Sequence, residues 1–247
     1  MRRRDVILAA IGVIVVWQGL AWVVHRDVLP APYEVFRALI VEVPRGLGRH
    51  FLVSAWRVVA SVIVAVAAAV PAGLVLGQSP SLNRIFSPLI YIIYPVPKIV
   101  FLPIILLFLG VGDRSKIFII ALILFFQVLV VVRDEASGIR PELLYSVRSL
   151  GAGRRALFRF VYLPATLPAV LTALRVSVGT AVAVLFFAES FATTSGLGYY
   201  IIVEAWGRLA YPEMYAGVVA MSVLGLTLYF AIDRLEKRLS PWLFVNR

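Results

Sequence analysis

Residues 117–132 read IFIIALILFFQVLVVV, a run without a charge, a glycine or a proline. Its apolar residues are continuous rather than alternating, so it reads as a buried helix and not as a half-buried strand. Lipid offers no hydrogen bonds, and a helix satisfies its own backbone there. A transmembrane barrel would show an alternating pattern that this run lacks. Crossing a core of about 30 Å takes roughly 20 apolar residues, so the span is expected to begin near Ser115.

Five similar runs surround it. Residues 6–24 follow Arg2-Arg3-Arg4 without a charge and are read as a retained anchor, because the core of a cleavable signal is only about 7–15 residues long. Residues 58–83 form the second span, entered through residues 51–57, with Gly73 and Gly77 near its end. Residues 85–109 are apolar apart from Lys98 and contain Pro88, Pro95, Pro97 and Pro103. Residues 165–188 carry Arg175, and residues 214–232 complete the set. The expected fold is all-α, a polytopic membrane protein with six transmembrane helices.

Composition agrees. The chain has 247 residues, 62% hydrophobic and 15% charged, whereas soluble domains are about half apolar and about a quarter charged. That balance excludes an ordinary cytosolic enzyme and a disordered chain, and the lack of cysteine excludes a disulfide-stapled secreted scaffold. The net charge of +11 is a topology signal. Arg2–Arg4, Arg84, the arginines of residues 133–159, Arg234, Lys237, Arg238 and Arg247 fall on one side of a six-span chain. About half as many, including Arg26, Arg37, Arg45, Arg49, Arg114, Lys116 and Arg208, fall on the other. The bias places both termini in the cytoplasm; it attracts lipid headgroups and is not a nucleic-acid signature.

The longest segment on the basic side, residues 133–164, carries helix signals. Pro141 suits a first helical position and Glu142 favours the helix dipole. Leu143, Leu144, Val147 and Leu150 make one apolar face, expected to return against the membrane helices. Gly151 and Gly153 can end that helix, and a second short helix, residues 154–161, then runs into Leu163-Pro164. A solvated connector would be the bland alternative.

This segment resembles a known family. Importer permeases of the ABC type share a cytoplasmic signature: Glu-Ala-Ala, three residues, Gly, nine residues, a branched residue, one residue, Leu-Pro. Gly151 is followed by nine residues, then Val161, Tyr162 and Leu163-Pro164. The triplet position falls on Tyr145-Ser146-Val147 and is degenerate; Glu135-Ala136-Ser137 lies ten residues too early and is a decoy. The nitrate, sulfonate and taurine group is the nearest resemblance. It rests on Leu29-Pro30-Ala31-Pro32, Pro97-Lys98 through Pro103, Gly110-Val111-Gly112, Leu174-Arg175, Glu189, Gly196-Leu197-Gly198, Leu235-Glu236-Lys237-Arg238 and Pro241-Trp242.

The resemblance implies a type I ABC importer permease in the bacterial inner membrane. It would be a pathway subunit without its own catalytic residues, carrying a small anionic solute such as a sulfonate, taurine or nitrate. Implied partners are a second, identical permease chain, two cytoplasmic ATPases that bind the ATP and magnesium, a periplasmic or lipid-anchored binding protein, and membrane lipid. No Gly-Lys dipeptide occurs, so the phosphate loop of an ATPase is missing. The implied layout is an anchor at residues 1–28, a periplasmic interfacial segment at 29–50 with Tyr33, Phe36, Leu39 and Ile40 at helical spacing, the permease domain at 51–237, and a cytoplasmic tail at 238–247. ATPase coupling is assigned to Leu144, Tyr145, Ser146, Arg148, Ser149, Leu150, Gly151, Ala152, Leu163 and Pro164.

Polar residues in the spans are candidates for the path, because burying a charge there costs about 2.5–3.5 kcal/mol at a helix centre. Lys98 either meets an anionic solute or pairs with a carbonyl freed by its flanking prolines. Gln127 glues helices or lines the path. Arg175 suits packing, and Glu189 caps the outer segment or serves a gate. His25 and His50 have no partners at metal-ligand spacing. Residues 195–212 are too polar to span and should fold as an outer loop with a short helix. An ion-driven secondary transporter is the alternative, disfavoured because no Asp or Glu lies inside the spans as drawn; a membrane enzyme would need a His, Asp or Ser cluster that is missing.

Overall fold

A computed structural model describes residues 3–243. It resolves into two compact units, Met1–Ala55 with Glu189–Leu224, and Trp56–Ala188 with Gly225–Arg247. Every regular element among the described residues is helical.

In the first unit, α1 (Arg3–Val24) is followed by α2 (Pro32–Glu42). Pro32 opens α2, and the Glu34 carboxylate reaches back to the Ala31 amide at 2.9 Å, satisfying a donor that the first turn cannot. A wide turn, Val43–Leu47, with Gly46 at φ 148° carries the chain into α3 (Gly48–Gln78). The expected interfacial segment is thus a helix continuing into the next one.

The second unit contains the rest of α3, then α4 (Pro80–Ile93), a 3-10 turn Lys98–Phe101, α5 (Leu102–Leu109), α6 (Asp113–Ser137), α7 (Pro141–Ser149), α8 (Arg154–Leu157) and most of α9 (Leu163–Ser190). Its core joins Leu74 and Leu76 of α3, Ile90 of α4, Val128, Leu129 and Val132 of α6, and Val170 and Leu174 of α9. Gly73 and Gly77 let α3 meet α6 closely. A Cβ on Gly73 would stand 2.7 Å from Val132 Cβ, and one on Gly77 2.6 Å from Ala136 Cβ. Small residues four apart are how membrane helices approach, since lipid provides no hydrophobic drive between them. Returning to the first unit, α10 (Leu197–Tyr199) leads through wide and tight turns to α11 (Tyr211–Leu239), whose last part belongs to the second unit.

The span count needs correcting. Among the described residues four helical runs are long and apolar enough to cross, namely Pro32–Gln78, Asp113–Ser137, Arg154–Ser190 and Tyr211–Leu239, and a fifth crossing is made if the bent pair that follows counts as one span. The proline-rich third run is not one helix: Pro80–Ile93 and Lys98–Leu109 are bent by 79°. Pro95 and Pro97 cannot donate backbone hydrogen bonds, so the helix stops there. Leu8–Val24 is a shorter apolar helix. The second span ends at Gln78, because Ser79 caps α4 by accepting from the Leu82 amide at 3.4 Å. The last helix extends to Leu239 and therefore takes in Asp233 and Glu236, while α9 takes in Glu189 and α6 Asp113, Asp134 and Glu135. These carboxylates lie on the helical extensions beyond the drawn spans, which themselves contain no Asp or Glu. The second short helix does run into Leu163-Pro164, through a wide turn at Phe158–Tyr162, and Arg154–Ser190 is one helical run.

Candidate functional site

The elbow forms where the spacing places it. Helix α7 ends in a left-handed corner at Gly151, φ 83°. The Gly151 amide donates to the Arg148 carbonyl at 2.9 Å and the Ala152 amide to the Val147 carbonyl at 3.4 Å. This pair of bonds closes the helix end. An added Cβ on Gly151 would meet nothing within 4 Å, so backbone conformation alone demands glycine. Of the expected apolar face, only Leu144 and Val147 pack against the core of the second unit. Leu143 and Leu150 are exposed, Leu150 by 87%, which corrects that part of the reading. Tyr145, Ser146, Arg148 and Ser149 are exposed too, and Ala152 is half-buried. Ser146 and Ser149 return their hydroxyls to the carbonyls of Glu142 and Tyr145. Leu163 packs on the same core, and Pro164 is half-buried.

Beside the elbow's exit lies a cavity of about 800 Å3, running along α6 and α9. Gln127 and Glu135 line it from α6, and Pro164, Thr172, Ser177 and Thr180 from α9. Gln127 has a buried Oε1 without a hydrogen-bond partner, and a buried acceptor left unmade costs free energy. Trp242, from the turn Pro241–Leu243, borders the same space. Arg175 is held away in a cluster. Its guanidinium pairs with Glu236 at 2.9 Å and Asp233 at 3.2 Å, and Thr172 donates to Glu236 at 2.9 Å.

Lys98 does not line that cavity. Its ammonium donates to the carbonyls of Ile93 and Tyr94 at 3.0 Å and of Val96 at 3.2 Å, and stands 4.6 Å from the Phe126 ring centroid. These carbonyls lie where α4 breaks, that of Ile93 also accepting from the Val96 amide at 3.2 Å, and cation–π attraction adds to the lysine's bonds.

Glu189 belongs to the first unit and is fully buried. Its carboxylate accepts from Ser54 Oγ at 2.7 and 2.9 Å and from the Gly198 amide at 3.1 Å. The Leu197 amide donates to Ser54 Oγ at 2.8 Å and the Gly196 amide to His50 Nδ1 at 3.0 Å. Three side chains thus satisfy three successive amides at the start of α10. His50 Nε2 faces Glu204 at 3.3 Å. Tyr200 is buried alongside and donates to Glu42 at 3.3 Å; burial first, and the Glu42 carboxylate next, hold its phenol well above the usual range.

Sequence reasoning weighed His50 only as a metal ligand and passed over Ser54; their spacing of four on one helix face was the available signal. It also passed over Arg57, buried and bound to Asp113 at 2.7 and 2.8 Å. Trp242 was seen only as part of a motif.

Comparison with known proteins completes the assignment. Residues 69–245 match the family described as binding-protein-dependent transport system inner membrane component. The taurine transport system permease protein TauC of Escherichia coli K12 is 32% identical over 220 residues, covering 87% of this chain and 80% of the relative. The putative aliphatic sulfonates transport permease SsuC of Bacillus subtilis 168 is 28% identical over 235 residues, 93% and 84% respectively. The fold is that of a chain in the inward-facing MetNI methionine ABC transporter, with TM-score 0.65, 20% identity, and 78% of this chain and 95% of that one covered. With a model match over most of its length, helices throughout and several membrane-crossing runs, this chain belongs to the binding-protein-dependent ABC transport permeases, as a multi-pass membrane protein.

Proposed function

We propose that this chain forms the pathway of an ATP-driven importer for a small sulfonate-type anion, and that a separate ATPase grips it at α7 and Gly151. The observation that carries the coupling is the pairing of a rigid corner with an unsatisfied surface. The Gly151 bonds fix the angle of α7, while Leu143, Tyr145 and Leu150 remain exposed on a helix that keeps only Leu144 and Val147 against the core. Exposed large apolar residues on a polar helix suit a partner surface. Nucleotide-driven movement of the ATPase would tilt α7, and coupling requires such differential contacts in the two states.

The cavity lined by Gln127, Thr172, Ser177, Thr180 and Glu135 suits the path, because hydroxyl and amide donors without a fixed cation can exchange an anion without trapping it. The sulfonate class follows from the named relatives. Orientation follows from the arginine bias, with α7 on the cytoplasmic side and both termini there. Two identical permease chains, two ATPases holding ATP and magnesium, and a binding protein docking on the opposite face complete the assembly. Glu189 takes the capping role rather than the path, and Lys98 that of closing the broken helix.

Reconstitution tests the reading. Proteoliposomes holding the chain with its ATPase and binding protein should accumulate a sulfonate only with ATP, and Gly151→Val should lower uptake at least tenfold with the protein still folded. Accumulation driven by an ion gradient without the ATPase would overturn it in favour of a secondary transporter.

A further inference from the structure

The tail motifs Leu235-Glu236-Lys237-Arg238 and Pro241-Trp242 have no part in the elbow. Helix α11 ends at Leu239, and its last turns are tied to α9. Glu236 is buried, pairs with Arg175 and accepts from Thr172. One turn on, Ser240 is fully buried and its amide donates to the Glu236 carbonyl at 2.9 Å. Pro241 cannot donate to a further helical turn, so the chain leaves α11 there as the turn Pro241–Leu243. Buried contacts thus fix where the chain departs, and Trp242 follows two residues later.

Trp242 borders the cavity between α6 and α9. Glu135, two residues before α6 ends, and Pro164, at the second position of α9, border it as well. Those helix ends lead into and out of the elbow, so these residues rim the end of the cavity nearest α7. A tryptophan at a helix end ordinarily anchors a chain at the lipid interface. Trp242 instead meets a space whose walls carry Gln127, Thr172 and Thr180.

We infer that Trp242 is the inner gate of the path. Its indole narrows the end of the cavity nearest α7 and slows the entry of polar solutes there, and the contacts among Glu236, Arg175 and Thr172 set its position. Apolar side chains at a constriction hold back water and ions, and an indole covers about 150–250 Å2. The inference rests on the cavity being the path. The elbow reaches the same rim at Pro164, so a tilt of α7 would move the rim and change the opening that Trp242 guards.

The chain has no cysteine, so a single introduced one reports access. Ala173→Cys, on the cavity wall and nine residues from Pro164, lies about 14 Å in from the rim along α9. In inside-out vesicles holding the full assembly, a charged, membrane-impermeant maleimide should label it at least fivefold faster once Trp242→Ala is added. With Trp242→Phe the rate should stay within twofold of the start. Trp242→Leu, expected to be at least twofold faster, serves if Trp242→Ala does not fold. Ser81→Cys, exposed at the start of α4 and outside the cavity, should react equally in every background. Unchanged labelling of Ala173→Cys without the indole overturns the inference. So does a matching acceleration at Ser81→Cys, which would mean general loosening. Labelling needs no transport, so a solute of another class would overturn the sulfonate reading and leave the gate standing.

Discussion

Gly151 and Gly196 both hold backbone angles that favour glycine, φ 83° and 114°, yet for opposite reasons. Around Gly151 there is open space, whereas a Cβ on Gly196 would stand 2.3 Å from the Glu189 carboxyl carbon. The first glycine shapes an exposed corner through backbone conformation alone. The second lets a chain close over a buried carboxylate. One region is built to meet something outside the chain, and the other is already complete within it, its amides taken by His50, Ser54 and Glu189.

That contrast can be broken by substitution. Gly196→Ala should be the most damaging, combining a disfavoured φ with overpacking for about 3–5 kcal/mol; a denaturant midpoint in detergent close to that of the native chain would show that the node is loose. Glu189→Gln should cost about 1–3 kcal/mol, because the two carboxyl oxygens that accept from a hydroxyl and an amide become one oxygen and an NH2 donor. Its thermal midpoint should fall while the solute KM stays unchanged.

Lys98→Met tests a third region, the broken helix. With three carbonyls losing a bond to the ammonium, Ile93 keeping that from the Val96 amide, it should cost about 1–2 kcal/mol, again without a change in solute KM. A raised KM at unaltered stability would move Lys98 into the path. Gly151→Ala should cost least in stability, about 1 kcal/mol, yet uptake should fall further than for Lys98→Met. If its uptake kept pace with the native chain, the corner would be a plain connector.

Much of the elbow was readable because its signals are local. Pro141, Glu142 and the spacing from Gly151 to Leu163-Pro164 act within a few turns, and backbone rules act at that range. What could not be read was where side chains from distant segments meet. Leu150 shares a helical face with Val147, but only the three-dimensional contact decides that Val147 packs and Leu150 does not. Ser54 and Glu189 are 135 residues apart, and nothing local announces their bond. Lys98 shows the middle case. Its flanking prolines pointed to free carbonyls, and the geometry showed that the lysine itself takes them. The run from 85 to 109 was legible as apolar but not as bent by 79°, since counting apolar residues ignores what Pro95 and Pro97 do to a helix.

The exposed end of α7 offers the sharpest trial of its role. Leu150→Asp changes a side chain that is 87% exposed, so the unfolding midpoint should move by less than about 0.5 kcal/mol. Co-purification of the ATPase with this variant, and its solute-stimulated ATP hydrolysis, should both drop at least tenfold. Full co-purification with unaltered stimulation would mean that the ATPase holds the permease somewhere else.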